Sequence, residues 1–236
     1  MTATASILAI ETSTQACSAC LIHHGTSYLE YELAPQKHAD RILTMVEKVL
    51  HQADARPGDI QLLAFGEGPG AFTGVRIATG VIQGLAFGWD KPVLGVSTLE
   101  ALAWQGYQAT GALDWLAFLD ARMQEMYLQA CRIESGRLVS QAPQLMSAAQ
   151  AHQWIETQTG TPSGVGDIAV EFPVTAARFS AWYSARPSAQ AIAEVAQQRL
   201  SQAHSVDDVL PMPLYLRNQV AEKPKPKPPS AYSRKI

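Results

Sequence analysis

The chain alternates short apolar runs with amphipathic stretches, and this pattern predicts a series of strands and helices. "SILAIET" is an apolar strand, and "ACSACLIHH" and "TSYLEYEL" flank a His-Gly-Thr turn and predict a hairpin. Apolar residues recur at helical spacing from about Ala39 to Gln52. "IQLLAFG" and "KPVLGV" are typical of strands buried on both faces of a parallel sheet. Helices over about Thr73 to Phe87 and in "STLEALAWQ" follow these two strands.

The second half of the chain begins again in the same way. "WLAFLDARMQEMYLQACRIESGRLVSQ" predicts a strand that ends in an acid, a polar turn and a hairpin. When the two halves are aligned, Asp120 falls on Glu11. A helix from about Ser147 to Thr157, a strand in "SGVGD" and a long helix from Ser188 to about Ser201 complete the pattern. A repeat of this length predicts two related lobes.

We therefore expect an α/β protein with three parts. Residues 1–105 form the first lobe, and residues 106–218 form the second, whose last helix is able to pack back on the first. Residues 219–236 are a basic tail in which lysine alternates with proline, and such low-complexity segments are typically disordered.

Composition and charge argue against several classes of protein. A net charge of -3 gives no overall reason to expect a nucleic-acid or membrane surface, and no apolar run has the length of about 20 residues that a membrane span needs. The start "MTATASILAIETS" lacks the basic region of a signal peptide, so we expect a cytoplasmic protein. Three cysteines agree with a reducing compartment.

The stretch "GEGPGAFTG" is rich in glycine at the start of a predicted helix. Gly68 and Gly70 permit positive φ and leave backbone N–H groups unshielded just before Thr73, a favourable place for an anion. The alternative is a tight strand-to-helix turn that needs no ligand. The stretch is neither a Walker A loop nor a Rossmann fingerprint.

A second glycine pattern follows inside the same helix. Gly80, Gly84 and Gly88 recur at every fourth position and form a bare stripe along one helix face, at a cost of about 1 kcal/mol each relative to alanine. Such a stripe permits close packing. The element that packs against the stripe is either a neighbouring element of this chain or a helix of another subunit.

Six motifs together resemble the TsaB (YeaZ) family of the actin-like ATPase superfamily, over roughly residues 7–217. They are "ILAIETSTQACSACL", "HADRILTMVEKVL", "GEGPGAFTGVRIATGVIQGLAF", "GVSTLEAL", "DARMQEMY" and "PLYLRNQVA". The resemblance implies an actin-like (ribonuclease H-like) duplicated fold, with two lobes that each have a mixed sheet flanked by helices. The chain departs from the family at Glu11, where aspartate is usual.

The resemblance also implies a chain without catalysis of its own. The catalytic paralogue TsaD has the pattern N-H-x-x-G-H, whose two histidines hold a metal, whereas this chain has Thr98 and Leu102 at those positions. We therefore expect no catalytic residue, no metal ligand and no cofactor of its own. The alternative is that ATP or ADP with Mg binds weakly, or at a site shared with a partner. The candidate contacts for this nucleotide are Glu11, Gly68, Gly70, Thr73 and Asp120.

The function implied by the resemblance is that of a subunit in the synthesis of N6-threonylcarbamoyladenosine at position 37 of tRNA. Its partners would be TsaD, the ATPase TsaE, tRNA through the complex, and a second copy of itself when alone. The candidate interface residues lie on two helices: Ile42, Met45, Val46, Val49, Arg76, Gly80, Gln83 and Gly84. Two alternatives remain open, an actin-like ATPase or peptidase active on its own, and a homodimeric scaffold.

Overall fold

A computed structural model describes residues 5–158 and 160–217, and the predicted basic tail at 219–236 lies outside them. The first lobe contains a five-stranded sheet with the order β3-β2-β1-β4-β5. Its strands and helices are β1 (Ile7–Glu11), β2 (Ala16–His23), β3 (Thr26–Leu33), α1 (His38–Gln52), β4 (Leu62–Gly68), α2 (Phe72–Trp89), β5 (Val93–Ser97) and α3 (Thr98–Thr110).

The pairing within this sheet follows the hydrophobic pattern. β2 runs antiparallel to β1 and to β3, as the hairpin pattern predicts, and β4 and β5 run parallel to β1. Every residue of β1 is buried, because helices cover both faces of the sheet.

The second lobe contains a six-stranded sheet whose main order is β11-β10-β6-β7-β8, with β9 paired to β7. Its strands and helices are β6 (Asp114–Arg122), β7 (Glu125–Glu134), β8 (Arg137–Ser140), β9 (Gln144–Ser147), α4 (Ala148–Thr157), β10 (Ser163–Gly166), α5 (Pro173–Ala176), β11 (Trp182–Ser184) and α6 (Ala189–Gln197). Read from β8 to β11, the order matches that of the first sheet from β3 to β5. The predicted repeat and the predicted duplicated α/β fold are confirmed.

In the part of the chain that the structure describes, three clusters of buried apolar side chains divide the fold into layers. One cluster joins the outer face of the first sheet to α1 and α2, and another joins the outer face of the second sheet to α4. The largest lies between the two sheets and contains α3 and α6. The element order is therefore helices, sheet, helices, sheet, helices.

Helix α6 belongs to the second half of the chain but packs on the first sheet. Ser188 caps its start by accepting a hydrogen bond from Ala191 N, and Ser18 Oγ of β2 accepts one from Ala189 N at 2.9 Å. The helix ends at Gln197 and a 3-10 turn follows at Leu200–Gln202, so the predicted end near Ser201 is wrong by about one turn.

Ile192 tests the packing of α6 between the two sheets. Its side chain has no solvent exposure, so Ile192→Ala should lower the free energy of unfolding by about 2–5 kcal/mol in urea titrations. The control Val139→Ala changes a half-exposed side chain of β8 and should stay within about 0.5 kcal/mol of the wild type. Equal losses in the two variants would contradict this packing.

Candidate functional site

The glycines at the start of α2 pack directly against the loop that follows β1. Cβ atoms added at Gly70 and Gly74 would overlap Ser13 and the carbonyl of Thr12. Two hydrogen bonds close the contact: Ala71 N donates to Ser13 O at 2.7 Å, and Thr12 Oγ1 donates to Gly74 O at 2.8 Å. The bare backbone of this stretch therefore lets the first turn of α2 touch the β1–β2 loop.

Gly68 serves a related purpose at the end of β4. Its φ of +104° is a conformation that favours glycine, and an added Cβ would lie 3.2 Å from the carbonyl oxygen of Leu214. Leu214 N in turn donates a hydrogen bond to Glu67 O at 2.7 Å. The chain near its described C-terminal end thus lies against the β4–α2 loop.

Glu11, a candidate nucleotide contact, is completely buried. Its carboxylate lies against Gly66 and accepts hydrogen bonds from Ser13 N at 2.5 Å and Thr98 Oγ1 at 3.4 Å. Burial raises the pKa of this carboxyl, and the hydrogen bonds from Ser13 and Thr98 partly offset that effect. Protein atoms surround the Glu11 carboxylate, so a ligand would reach it only after the loop moved.

Asp120 occupies the equivalent position in the second lobe and has a different environment. Its carboxylate pairs with Arg122 Nη1 at 2.9 Å and also accepts from Arg122 N at 2.7 Å. Three successive residues of the β6–β7 turn, Arg122, Met123 and Gln124, have φ values of 63°, 56° and 62°. Such left-handed backbone in non-glycine residues is strained and needs support from its surroundings.

Two further acids end the parallel strands next to these positions, and the sequence interpretation missed them. Glu67 follows Gly66 at the end of β4, and Asp167 follows Gly166 at the end of β10. Burial and the charge of Glu100 raise the pKa of Glu67 to about 7. Burial likewise raises the pKa of Asp167, whose Oδ1 accepts a hydrogen bond from Asp120 N. The repeated glycine-acid pairs in "FGEG" and "GVGD" were the available signal.

The second glycine pattern lies on the solvent-exposed side of α2. Cβ atoms added at Gly80, Gly84 and Gly88 would have no heavy atom of the chain within 4 Å, so no element of the described chain uses this stripe for packing. Phe87 beside it is 74% exposed. The stripe and Phe87 form an apolar surface, which we call the open face of α2.

Four of the predicted interface residues lie elsewhere. Ile42, Met45, Val46 and Val49 are buried in the chain's own core, between α1 and the outer face of the first sheet. That part of the interface prediction is corrected: the apolar stripe of α1 covers the sheet, as amphipathic helices usually do. On α1, Leu43 is half-exposed and remains open to solvent.

The remaining predicted interface residues lie on or beside the open face of α2. Arg76 is exposed, whereas Gln83 is half-buried; Thr73, a candidate nucleotide contact, is exposed in the first turn of the same helix. The Arg76 guanidinium lies 3.6 Å from the centroid of the Phe72 ring and donates through Nε to Tyr215 Oη at 2.7 Å. The cation is therefore held against aromatic rings at one end of the face.

A segment near the C-terminus joins the two lobes. We call residues 205–217 the C-terminal strap. Gln83 Nε2 donates to Pro211 O at 2.7 Å on the first lobe. On the second lobe, Arg217 pairs with Glu125 at 2.5 Å and donates to Ala121 O at 3.1 Å, beside the strained β6–β7 turn. The strap thus runs from the open face of α2 to the β6–β7 turn.

Among residues 5–158 and 160–217, no three histidine, cysteine or acidic side chains lie close enough together to hold a metal ion. Across those same ranges, none of the helices is both long and apolar enough to cross a membrane.

Comparison with known proteins agrees with the two-lobed α/β fold. The family model described as "TsaD: tRNA N6-adenosine threonylcarbamoyltransferase" matches residues 31–153. A solved chain described as an "uncharacterized protein with similarity to peptidase YEAZ from Pseudomonas aeruginosa" superposes with a TM-score of 0.81 at 33% identity, covering 90% of this chain and all of that one. The fold and the glycine-lined α2 therefore define a YeaZ-like protein related to the TsaD enzymes.

Curated relatives give the family. The chain is 35% identical to "tRNA threonylcarbamoyladenosine biosynthesis protein TsaB" of Haemophilus influenzae, over 93% of this chain and 97% of that protein. It is 36% identical to the protein of the same name from Escherichia coli K12, over 93% and 98% of the two chains. The chain belongs to the TsaB family.

The two sets of glycines should respond oppositely to alanine. Gly74→Ala should lower the free energy of unfolding by about 1–3 kcal/mol, because the new methyl group overlaps the Thr12 carbonyl. Gly84→Ala adds a methyl group in open space and should raise that free energy by up to about 1 kcal/mol. Urea titrations measure both, and a destabilised Gly84→Ala would show that the open face is covered.

Glu67 should make stability depend on pH. Its folded pKa of about 7 lies above the ordinary value of 4.5, so the folded state binds the proton more tightly and loses stability as pH rises from 4.5 to 7. Glu67→Gln should remove this loss and be more stable than the wild type at pH 8, on the order of 1–2 kcal/mol after allowance for partial exposure.

Urea titrations at pH 5 and pH 8 test this dependence. The control is Glu171→Gln, which changes an exposed acid and should follow the wild-type profile. A Glu67→Gln profile parallel to that of the wild type would contradict the assignment.

Proposed function

We propose that this chain is a non-catalytic subunit in the synthesis of N6-threonylcarbamoyladenosine in tRNA. Its role is to bind the TsaD-family catalytic subunit through the open face of α2. The observation that carries this proposal is the stripe of Gly80, Gly84 and Gly88, which is open to solvent although glycine weakens a helix. Names of the TsaB relatives support the pathway.

Likeness to TsaD supports the choice of partner. The TsaD family model matches residues 31–153, a range that contains both α1 and α2. The catalytic subunit is therefore expected to carry a similar pair of helices. Two such pairs can pack face to face when small residues let the helix backbones approach closely. TsaE and tRNA would join through the resulting complex, and a homodimer on the same face would form when the partner is absent.

The side chains at the catalytic positions of the paralogue support a role without chemistry. Thr98 is buried and donates a hydrogen bond to Glu11, and Leu102 is buried in the core between the sheets. Neither side chain is exposed to solvent. With Glu11 enclosed and Asp120 paired to Arg122, binding of ATP or ADP with Mg would be weak or would need groups from the partner.

We propose that the protein acts in the cytoplasm. Cys17, Cys20 and Cys131 are free buried thiols, in agreement with a reducing compartment.

The proposal predicts that Gly84→Leu uncouples assembly from folding. A leucine side chain would fill the open face without touching the chain's own core, so the variant should melt like the wild type. Its affinity for the purified TsaD-family subunit should fall by about tenfold or more, because the partner helix is held away. Modification of tRNA in the reconstituted system should fall with it.

Two controls accompany this variant. Gly84→Ala should bind nearly as well as the wild type, and Val170→Asp, on an exposed site of the second lobe, should leave binding unchanged. Tight binding by Gly84→Leu would contradict the proposed face. Full tRNA modification by the catalytic subunit alone, or by this chain alone, would contradict the proposed role.

A further inference from the structure

We propose that the C-terminal strap is a second wall of the partner-binding surface, and that Leu210 and Met212 contact the TsaD-family subunit directly. This inference rests on the proposed function and extends it from α2 to a segment far along the chain. The strap lies outside residues 31–153, the range that the TsaD family model matches.

Hydrogen bonds fix the strap beside α2. Gln83 Nε2 donates a hydrogen bond to Pro211 O at 2.7 Å, and Arg76 Nε donates one to Tyr215 Oη at the same distance. The Tyr215 ring also packs 5.9 Å from the Phe72 ring, measured between centroids. From Phe72 to Gln83 these contacts span about three turns of α2, so the strap lies alongside the helix that carries the open face.

The strap presents large apolar side chains to solvent along this surface. Val209, Leu210 and Met212 are 52%, 53% and 60% exposed. Phe87, on the open face of α2, is a fourth large apolar side chain that is exposed. Exposed large apolar side chains grouped in this way are typical of a protein interface, and a methionine adapts readily to the shape of a partner.

The backbone of the strap is arranged in advance of binding. Pro211 is buried and Pro213 half-buried, and proline fixes φ and removes a backbone donor. A segment with little conformational freedom to lose binds at a low entropic cost. The buried Pro211 between exposed Leu210 and Met212 anchors the strap and turns both side chains outward.

Arg217 positions the end of the strap. Its guanidinium pairs with Glu125 and donates to Ala121 O, and its side chain is 16% exposed. A cation held this way resists detachment of the strap from the second lobe. Arg217 is therefore a positioning residue and needs no contact with the partner.

The position of the strap beside the open face of α2 indicates which partner covers it. A helix laid along the glycine stripe of α2 meets the strap at its side, because the strap is bonded to Gln83 of the same helix. The occupant of the strap is thus the occupant of the open face, the TsaD-family subunit. Asp207 and Asp208 are exposed at the start of the strap and favour a basic residue at the matching edge of that subunit.

The double variant Leu210→Asp with Met212→Asp tests the proposal. Its affinity for the purified TsaD-family subunit, measured by calorimetry on the full chain, should fall by about tenfold or more. The matched control is Val174→Asp, which places the same charge at a 67% exposed site of the second lobe and should bind within about twofold of the wild type. Thermal melts should show that both variants fold.

A second variant tests the anchor. Arg217→Gln should weaken the same binding and increase hydrogen exchange of Leu214 N, whereas Arg217→Lys, which keeps the charge, should recover part of the affinity. If Arg217 had only a structural role, an Arg217→Gln variant as thermally stable as the wild type would bind the partner with wild-type affinity. That result would contradict its role as a positioning residue.

The outcomes separate the two claims. If the wild type binds the TsaD-family subunit and the double variant binds equally well, the strap is no part of the interface and only this inference fails. If the wild type does not bind, this inference and the proposed function both fail. A double variant that changes self-association alone, measured by sedimentation, would assign the strap to a homodimer and overturn the inference.

Discussion

The close contact between the first turn of α2 and the loop after β1 is the constraint on which the rest of the structure depends. Gly70 and Gly74 bring the backbone of α2 against Ser13 and Thr12, and no larger residue would permit this approach without a shift of the loop. The contact sets the rotation of the helix about its axis. Its bulky side chains then face the first sheet, and the stripe with Gly84 faces solvent.

The same contact encloses one of the two acids that end equivalent strands in the two lobes. The β1–β2 loop packs against the start of α2, and Glu11 is enclosed by Ser13, Thr98 and Gly66. In the second lobe, Asp120 is paired with Arg122. Both acids at the equivalent strand ends are thus paired with groups of the protein itself.

Most of the fold was predictable from sequence, because apolar periodicity and the internal repeat are strong local signals. The predicted strands, α1, α2 and the duplication were confirmed, whereas β9, α5 and β11 were missed. The surface was less predictable. Ile42 and Met45 were assigned to a partner although they cover the sheet, since periodicity shows that a helix has an apolar face but not what covers it. The strap carries no periodicity, and its contacts with Gln83 and Glu125 are separated from it by many residues along the chain.

Hydrogen exchange of the chain, with and without the TsaD-family subunit, tests the central claim most directly. If α2 and the strap together form the binding surface, protection on complex formation should concentrate in Phe72–Trp89 and in residues 205–217. The helices α4 and α5 on the far side of the second lobe should exchange at unchanged rates. Protection confined to the second lobe, with α2 unaffected, would contradict the account.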